Sequence, residues 1–438
     1  MKGLAKKKSK QNKLVKDILV FLLIAALAVA SLLVARYFYN KNKAKENAEL
    51  ATYTITWVNE DGAVLEVDKH VNQGDMPVYN GAIPTKASDE TYKYIFDKWT
   101  PNITAAVADA TYKATFKAKD INATTDDLAI HFIAGDNDKA GDCIYIKAGQ
   151  TDILVDAGSR ASSAGAIKTY LDNYVTDGKL EFVIATHADQ DHIAGFVGTN
   201  EFPGIFEVYE CETIIDFPLT DKTTKTYQNY CTKRDAEVAL GAKHYNALQC
   251  YNNEGEAKRK YNISDGIELE ILYNYYYENK ANKENDYSVC FIINQGTHHY
   301  LFTGDLEEKG EENLVKYNTL PEVDLFKAGH HGSYTASNDC LLSVIKPKMC
   351  VVCCCAGTDE YTPVKDNQFP SQAFISRICK YTDQVYVTNQ VSDNAAGFEP
   401  MNGNVIVSCD GTEVSVICSA SPTILKETAW FIANRKWE

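Results

Sequence analysis

The sequence predicts an α/β protein: a layered sandwich of about 300 residues, preceded by a small β-rich module and one N-terminal membrane-spanning helix. Three observations predict it. A basic tail runs into an uncharged apolar stretch at residues 18–35. Residues 53–118 alternate apolar and polar positions in short runs closed by turn residues. From Leu128 onward, short apolar strands alternate with helical stretches, and the theme occurs twice.

The 438 residues are enough for two or three domains. Residues 1–45 carry eleven Lys and Arg against one Asp, a charge of +10. The total is −15, so the other 393 residues carry −25. Eighteen helical residues at 18–35 would rise ~27 Å, close to the hydrocarbon thickness of a bilayer. The denser basic cluster precedes the run, which predicts a cytoplasmic tail at 1–17 and an external body. Ala28-Val29-Ala30 also fits a small-x-small cleavage site, in which case the body would be secreted. Residues 36–52 read as a polar spacer.

Next comes the module. "YTITWVNEDGAVLEV" reads as two strands around a turn at Asp61-Gly62. "YKYIFDKW" and "ATYKATFKA" alternate in the same way, and Tyr53, Trp57, Tyr94, Phe96, Trp99, Tyr112 and Phe116 would supply a small core. With "YNGAIPTK" these segments resemble the InlB B-type (Listeria–Bacteroides) repeat of bacterial surface proteins. That resemblance implies a β-grasp-like spacer, or a module that contacts cell-surface components. Residues 119–127 read as a linker.

The larger unit, 128–438, opens with "LAIHFI", "DCIYIK" and "DILVDAG", then a helix near 163–175, the strand "EFVIATH", a helix near 193–198 and "ETIIDF". Its second half has "IELEILY", "YSVCFIIN", "HYLFTGD", a helix near 306–317, "VDLFKAGHH", a further helix, "MCVVCCC", a helix near 371–381, "QVYVTN" and "NVIVSCDG". The count of thirteen cysteines is odd, and four of them crowd one apparent strand whose neighbours point to opposite faces. They read as small apolar core residues. A CxxC metal site at Cys350/Cys353 lacks a second pair to complete it.

The chemistry concentrates in "THADQDHIAG". His187, Asp189, Asp191 and His192 fall in the loop that leaves an apolar strand, before a helix. Imidazole and carboxylate together suit Zn, Mn or Fe. The spacing would let the first two face one ion and the last two a neighbouring one. A polar loop with Asp191 as helix cap is the plainer alternative. Asp156 in "ILVDAGS", Asp305 in "LFTGDLEE" and His330-His331 in "LFKAGHHGS" also end apolar strands, so one sheet edge could gather them all.

Together these motifs resemble the metallo-β-lactamase fold, an αββα sandwich whose HxHxDH pattern follows a strand. The HxDxDH variant with GD and HHGS is most similar to the C-terminal domain of ComEC-type competence proteins. The resemblance implies that Asp156 orients the motif loop and that His187, Asp189, Asp191 and His192 are ligands. It further implies that Asp305 bridges, and that His330, with His331 as the alternative, is the last ligand. It implies one or two divalent ions, Zn first and Mn as the alternative, with Asp191 or Asp305 as the catalytic carboxylate that receives a proton from water.

The chain departs from the family pattern in two places. His244 is the sole histidine between 192 and 298, and it reads as an ordinary strand residue, so it is at best a candidate ligand. "DNQFPSQAFISRI" has Asn367 and Pro370 but no histidine, which leaves that loop without the expected general acid. Ser333 reads equally as a phosphate contact or a turn residue. His131 reads as a strand residue, and His298-His299 as a surface hairpin turn.

The expected function is metal-assisted hydrolysis at a bacterial cell surface, first of a phosphodiester in a nucleic acid, nucleotide or cell-wall polymer. An amide, ester or lactone hydrolase and a non-enzymatic metal-retaining module are the alternatives. The −25 body opposes a broad nucleic-acid groove. Lys222/Lys225, Lys233/Arg234, Lys258/Arg259/Lys260 and Lys280/Lys283 would line one wall of a cleft.

Overall fold

A computed structural model describes residues 51–89, 92–120, 127–392 and 397–438. The basic tail, the expected membrane segment at 18–35, most of the spacer and most of the linker lie outside these residues. Among the described residues no helix is long and apolar enough to cross a membrane. Thr54–Glu438 form one unit.

The module is a four-stranded sheet of β1 (Thr52–Val58), β2 (Val64–Asn72), β3 (Tyr92–Thr100) and β4 (Ala110–Asp120), in the order β2-β1-β4-β3. β1 and β4 run parallel, whereas β3 and β4 run antiparallel. Alternation buries Ile55 and Trp57 on one face. Trp57, Trp99 and Tyr112 pack edge-on or tilted at 4.8–4.9 Å between ring centroids, an arrangement that aromatic quadrupoles favour. Tyr79, which sits outside the strands, completes this cluster against Trp57 and Trp99.

The larger body has two eight-stranded sheets. The first contains β5 (Leu128–Phe132), β6 (Ile144–Ala148), β7 (Thr151–Val155), β8 (Lys179–Ile184), β9 (Glu210–Asp216) and β10 (Lys243–Asn246). The second contains β11 (Lys260–Ser264), β12 (Ile267–Ile271), β13 (Phe291–Gln295), β14 (His298–Phe302), β15 (Leu325–Lys327), β16 (Met349–Ala356), β17 (Val385–Val391) and β18 (Phe398–Pro400). The last strands, β19 (Val405–Cys409) and β20 (Val414–Cys418), return to the first sheet beside β5. The chain therefore does not split into two sequential halves, as its pattern suggests. β5 needs an apolar neighbour on its open side, and the C-terminal hairpin supplies it.

The second sheet is covered on both faces. Phe291, Ile293, Tyr300, Phe302, Val351 and Cys353 join one buried cluster, while Ile292, Leu301, Cys350, Val352 and Cys354 join the other. Alternation along each strand produces this division. It also puts Cys350 and Cys353 in different clusters, so they cannot close a CxxC metal site. All thirteen cysteines are free, and those of β16 are buried.

Four strands that carry the sequence motifs run in two parallel pairs, β7 with β8 and β14 with β15. Parallel pairing puts both C-terminal ends of a pair at the same edge. The loops after Val155 and Ile184 thus share one edge and those after Phe302 and Lys327 another, and the approach of His192 to Asp305 at 3.2 Å brings the two together.

A candidate metal centre at the strand ends

Asp156 follows β7 with φ at +56°, a left-handed conformation that is costly for a non-glycine residue. The turn aims its carboxylate across to the next strand end. Oδ1 accepts from the Thr186 amide at 2.8 Å, and Oδ2 accepts from the Thr186 hydroxyl and from His192 Nδ1, each at 2.7 Å. Helix α1 (Ser163–Leu171) follows, and α2 (Gln190–Val197) begins within the histidine-aspartate motif. Asp191 and His192 are thus in the first helical turn rather than in a loop, and Asp189, not Asp191, occupies the N-cap position. Gly195 allows α2 to press on the turn at Asp156. A Cβ there would lie 2.1 Å from the carbonyl oxygen of Ala157.

Three buried imidazoles share one orientation. His192 donates from Nδ1 to Asp156, and His331 donates from Nδ1 to the carbonyl of Cys353 at 2.9 Å. His187 Nδ1 is 3.2 Å from the Thr186 hydroxyl, which already donates to Asp156 and so accepts here. With Nδ1 carrying the proton, Nε2 presents a lone pair. All three Nε2 atoms are buried without a hydrogen-bond partner. His192 Nε2 is 3.2 Å from Asp305 Oδ2, and His331 Nε2 is 3.3 Å from Oδ2 of both Asp191 and Asp305. Ligating atoms of Asp191, His192, Asp305 and His331 all lie within 4.8 Å of one another. Lone pairs and carboxylates facing each other in a buried space demand positive charge. The donor set fits a divalent transition-metal ion.

Electrostatics agree. Burial works against charge on His192 and His331, yet Asp305 with Asp156 or Asp142 outweighs it and holds both imidazoles well above their usual range. Burial likewise opposes the charge on Asp305, but His331, His192 and Lys327 hold its carboxyl well below the carboxylate range. Without an ion, the pocket gathers protons in its place.

His330 and His331 both have positive φ, +45° and +53°. Their roles separate there. His331 is fully buried and faces the carboxylates, whereas His330 Nε2 is 4.0 Å from Asp305 and its Nδ1 is 3.1 Å from the Thr335 hydroxyl. Burial lowers the pKa of His330 to about 4, so it is neutral. The geometry therefore gathers His331 rather than the expected His330.

The other expectations fall outside the cluster. His244 Nε2 is held by Asp216 at 2.8 Å on β10. Ser333 is buried and accepts from the Thr335 amide at 3.2 Å, a turn contact. His131 is a buried strand residue 2.9 Å from the Tyr170 hydroxyl. His298 and His299 do not form an exposed turn. They begin β14 and are half-buried, with His299 bound to Asn294 and His298 facing Asp324. Six of the expected basic-wall residues are in ion pairs: Lys222 with Asp189, Lys233 with Glu207, Arg234 with Asp216, Arg259 with Glu270, Lys260 with Glu268 and Lys280 with Asp221.

Three site residues escaped the sequence reading. Lys327, fully buried at the end of β15, contacts Asp142 and lies 3.4 Å from Asp305 Oδ1. Asp142, equally buried, is 3.2 Å from His331 Nδ1. A lysine inside an apolar strand and an aspartate just before one were the available signals. Tyr361 donates its hydroxyl to Asp191 Oδ2 at 2.7 Å, and nothing in its local sequence marks it.

Residues 136–198, which include Asp142, Asp156 and the histidine-aspartate motif, match the model of the Metallo-beta-lactamase superfamily. Over that stretch the chain is similar to the metallo-β-lactamase superfamily. More particularly, it is similar to proteins named for recombination and competence. It is 26% identical over 206 residues to Recombination protein 2 of Haemophilus influenzae, covering 47% of this chain and 21% of that protein. It is 24% identical over 219 residues to ComE operon protein 3 of Bacillus subtilis, covering 48% and 24%. The chain thus spans about a quarter or less of the length of these relatives. The solved structure of the metallo-beta-lactamase fold protein YhfI from Bacillus subtilis aligns with a TM-score of 0.36 at 12% identity, over 60% of this chain and 97% of that one.

Proposed function

We propose that the chain is a metal-dependent phosphodiester hydrolase. The observation that carries this reading is the convergence of the unpartnered Nε2 atoms of His192 and His331 on Asp191 and Asp305. These four residues would hold the ion, with His187 and Asp189 beside them. A divalent ion bound there supplies a Lewis acid, which lowers the pKa of water toward neutrality and offsets charge developing on a phosphoryl oxygen.

The chain's own groups do the rest. Asp156 and the Cys353 carbonyl set the orientation of His192 and His331. Asp191, with 13% of its side chain exposed, is the carboxylate placed to take a proton from an attacking water. Asp305, with 2% exposed and Lys327 behind it, positions the centre. Tyr361 stays protonated, because the partial burial of its ring and the neighbouring Asp191 carboxylate raise its pKa, and from its half-exposed position at the mouth it orients Asp191.

The names of the matched relatives favour a nucleic-acid phosphodiester. With most of the 220–285 lysines and arginines already paired, a single-strand end or a small diester suits the mouth better than a long duplex. The same acidity favours a second reading, an uncharged ester, amide or lactone substrate. We further read residues 18–35 as the anchor that places the domain outside a bacterial membrane, and residues 53–118 as a surface spacer. Membrane fractionation with external protease tests that placement.

The test of function is turnover of bis-p-nitrophenyl phosphate, single-stranded DNA and a lactone by the purified chain with Mn or Zn. Diester cleavage lost in both Asp191→Ala and His331→Ala supports the reading. Lactone cleavage alone would move it to the second, and metal binding without turnover would make the domain non-enzymatic.

A further inference from the structure

We propose that the centre is built for one divalent ion, and that the ammonium of Lys222 stands where a second ion would bind. The inference rests on the reading of the centre as a metal site and deepens it. The motif spacing leads one to expect two ions, one on His187 and Asp189 and one on Asp191 and His192. The geometry is not symmetrical between them. Asp191, His192, Asp305 and His331 gather within 4.8 Å, and neither His187 nor Asp189 joins that group. Asp189 is instead taken by Lys222, whose Nζ rests on Oδ1.

The pair is fastened in place. Lys222 lies between β9 and the helix Lys225–Leu240, on a loop that one carboxylate ties to the motif. Glu284 Oε1 accepts from the Thr220 hydroxyl at 2.7 Å and from the Ala188 amide at 3.3 Å, while Oε2 accepts from the Asp221 amide at 3.3 Å. The Lys222 amide in turn donates to the Thr220 hydroxyl at 2.9 Å. Glu284 thus holds the residue before Asp189 and the residues before Lys222 on the same two oxygens. Side-chain exposures of 31% for Lys222 and 25% for Asp189 leave the pair half-shielded from water.

Charge and ligand supply point the same way. Lys327 pairs with Asp142, Lys222 pairs with Asp189, and Asp156 is occupied by Thr186 and His192. Asp191 and Asp305 face the open imidazoles of His192 and His331 and balance one dication, while Asp189, whose Oδ2 lies 3.6 Å from His187 Nε2, already shares its charge with Lys222 through Oδ1. A second ion beside Asp189 would meet an ammonium at close range, where like charges repel strongly in a half-buried site. His244, the further imidazole that the sequence offered, is committed to Asp216, which leaves His187 as the one imidazole beside Asp189 among the described residues.

The test is metal stoichiometry, which does not depend on turnover. The full chain is saturated with Mn, freed of excess ion, and examined by elemental analysis and by electron paramagnetic resonance. The expected result is one ion per chain with the spectrum of an isolated Mn. In Lys222→Ala, and in Lys222→Met, which keeps the apolar stem, the expected result is two ions with a spin-coupled spectrum. Two ions in the unaltered chain would overturn the proposal, as would a single ion in both variants. No bound ion in any of them would instead remove the metal-site reading itself, and the proposal with it.

Discussion

His331 Nε2 lies 3.3 Å from Oδ2 of Asp305, while Nε2 of the preceding His330 lies 4.0 Å from the same atom. Adjacent residues with similar φ are thus assigned different tasks. His331 enters the carboxylate cluster, and His330 turns to Thr335 and Asn285. His331→Ala should cost more than the 10–100-fold in metal affinity typical of an outer-sphere partner. His330→Ala should stay within about that range. Titration with a competing chelator checks both, and equal losses would contradict the distinction.

Removing the ion should also destabilise the fold, because the ligands come from three separated segments that the ion would hold together. Saturation at about 100 times the dissociation constant is worth roughly 2.7 kcal/mol. Differential scanning calorimetry with and without chelator should show the lower midpoint in the stripped protein, and His331→Ala should show little difference between the two conditions.

Lys327 and Asp142 form an ion pair with about 1% of either side chain exposed. Lys327→Met leaves Asp142 buried without its counter-charge, at an expected cost of about 3–5 kcal/mol. Adding Asp142→Asn should recover part of that loss. Denaturant unfolding of the two variants measures it. A double variant no better than the single one would show that the pair matters through some other contact.

Glu311 sits buried in the helix Glu308–Tyr317 and accepts from the Ser337 amide at 2.5 Å, the Asn338 amide at 2.8 Å and the Asn338 side chain at 2.9 Å. Burial nevertheless pushes its carboxyl up from 4.5 to about 7. A raised carboxyl binds its proton more tightly in the folded state. Its contribution to stability is complete below about pH 4.5 and is lost as the pH rises through about 7. The span corresponds to about 3 kcal/mol. Unfolding free energy should fall between pH 5 and 7.5, and Glu311→Gln should flatten that slope. Parallel slopes in the two proteins would count against it.

The Tyr361 hydroxyl donates to Asp191, so Tyr361→Phe removes one charge-assisted hydrogen bond. A loss of roughly tenfold in kcat, with KM nearly unchanged, is the expected outcome. Steady-state kinetics on a small diester would show it.

Much of the centre was legible because the residues that end its strands are polar groups set after apolar runs. Asp156, the motif from His187 to His192, and Asp305 stand out for that reason. The expected strands on either side of them are present, and the four cysteines of β16 are buried as small core residues. Lys327 was legible in principle, since an ammonium inside "LFKAG" has no apolar reason to be there. Tyr361 and Glu284 were not, because their partners lie 170 and 64 residues away in the chain. The return of β19 and β20 to the first sheet was equally hidden, since strand pattern records burial and period but not which edge a strand will join.

The sequence by itself determined the inventory: which residues can ligate an ion, that they close apolar strands, and that the body around them is an acidic α/β sandwich. Tertiary structure decided the assignments: His331 over His330, Asp189 given to Lys222, and basic residues neutralised by acids from other segments. The reason is directional. A side chain's type is written at its own position, but its aim depends on a local φ and on partners such as the Cys353 carbonyl or Glu284, which only folding brings alongside.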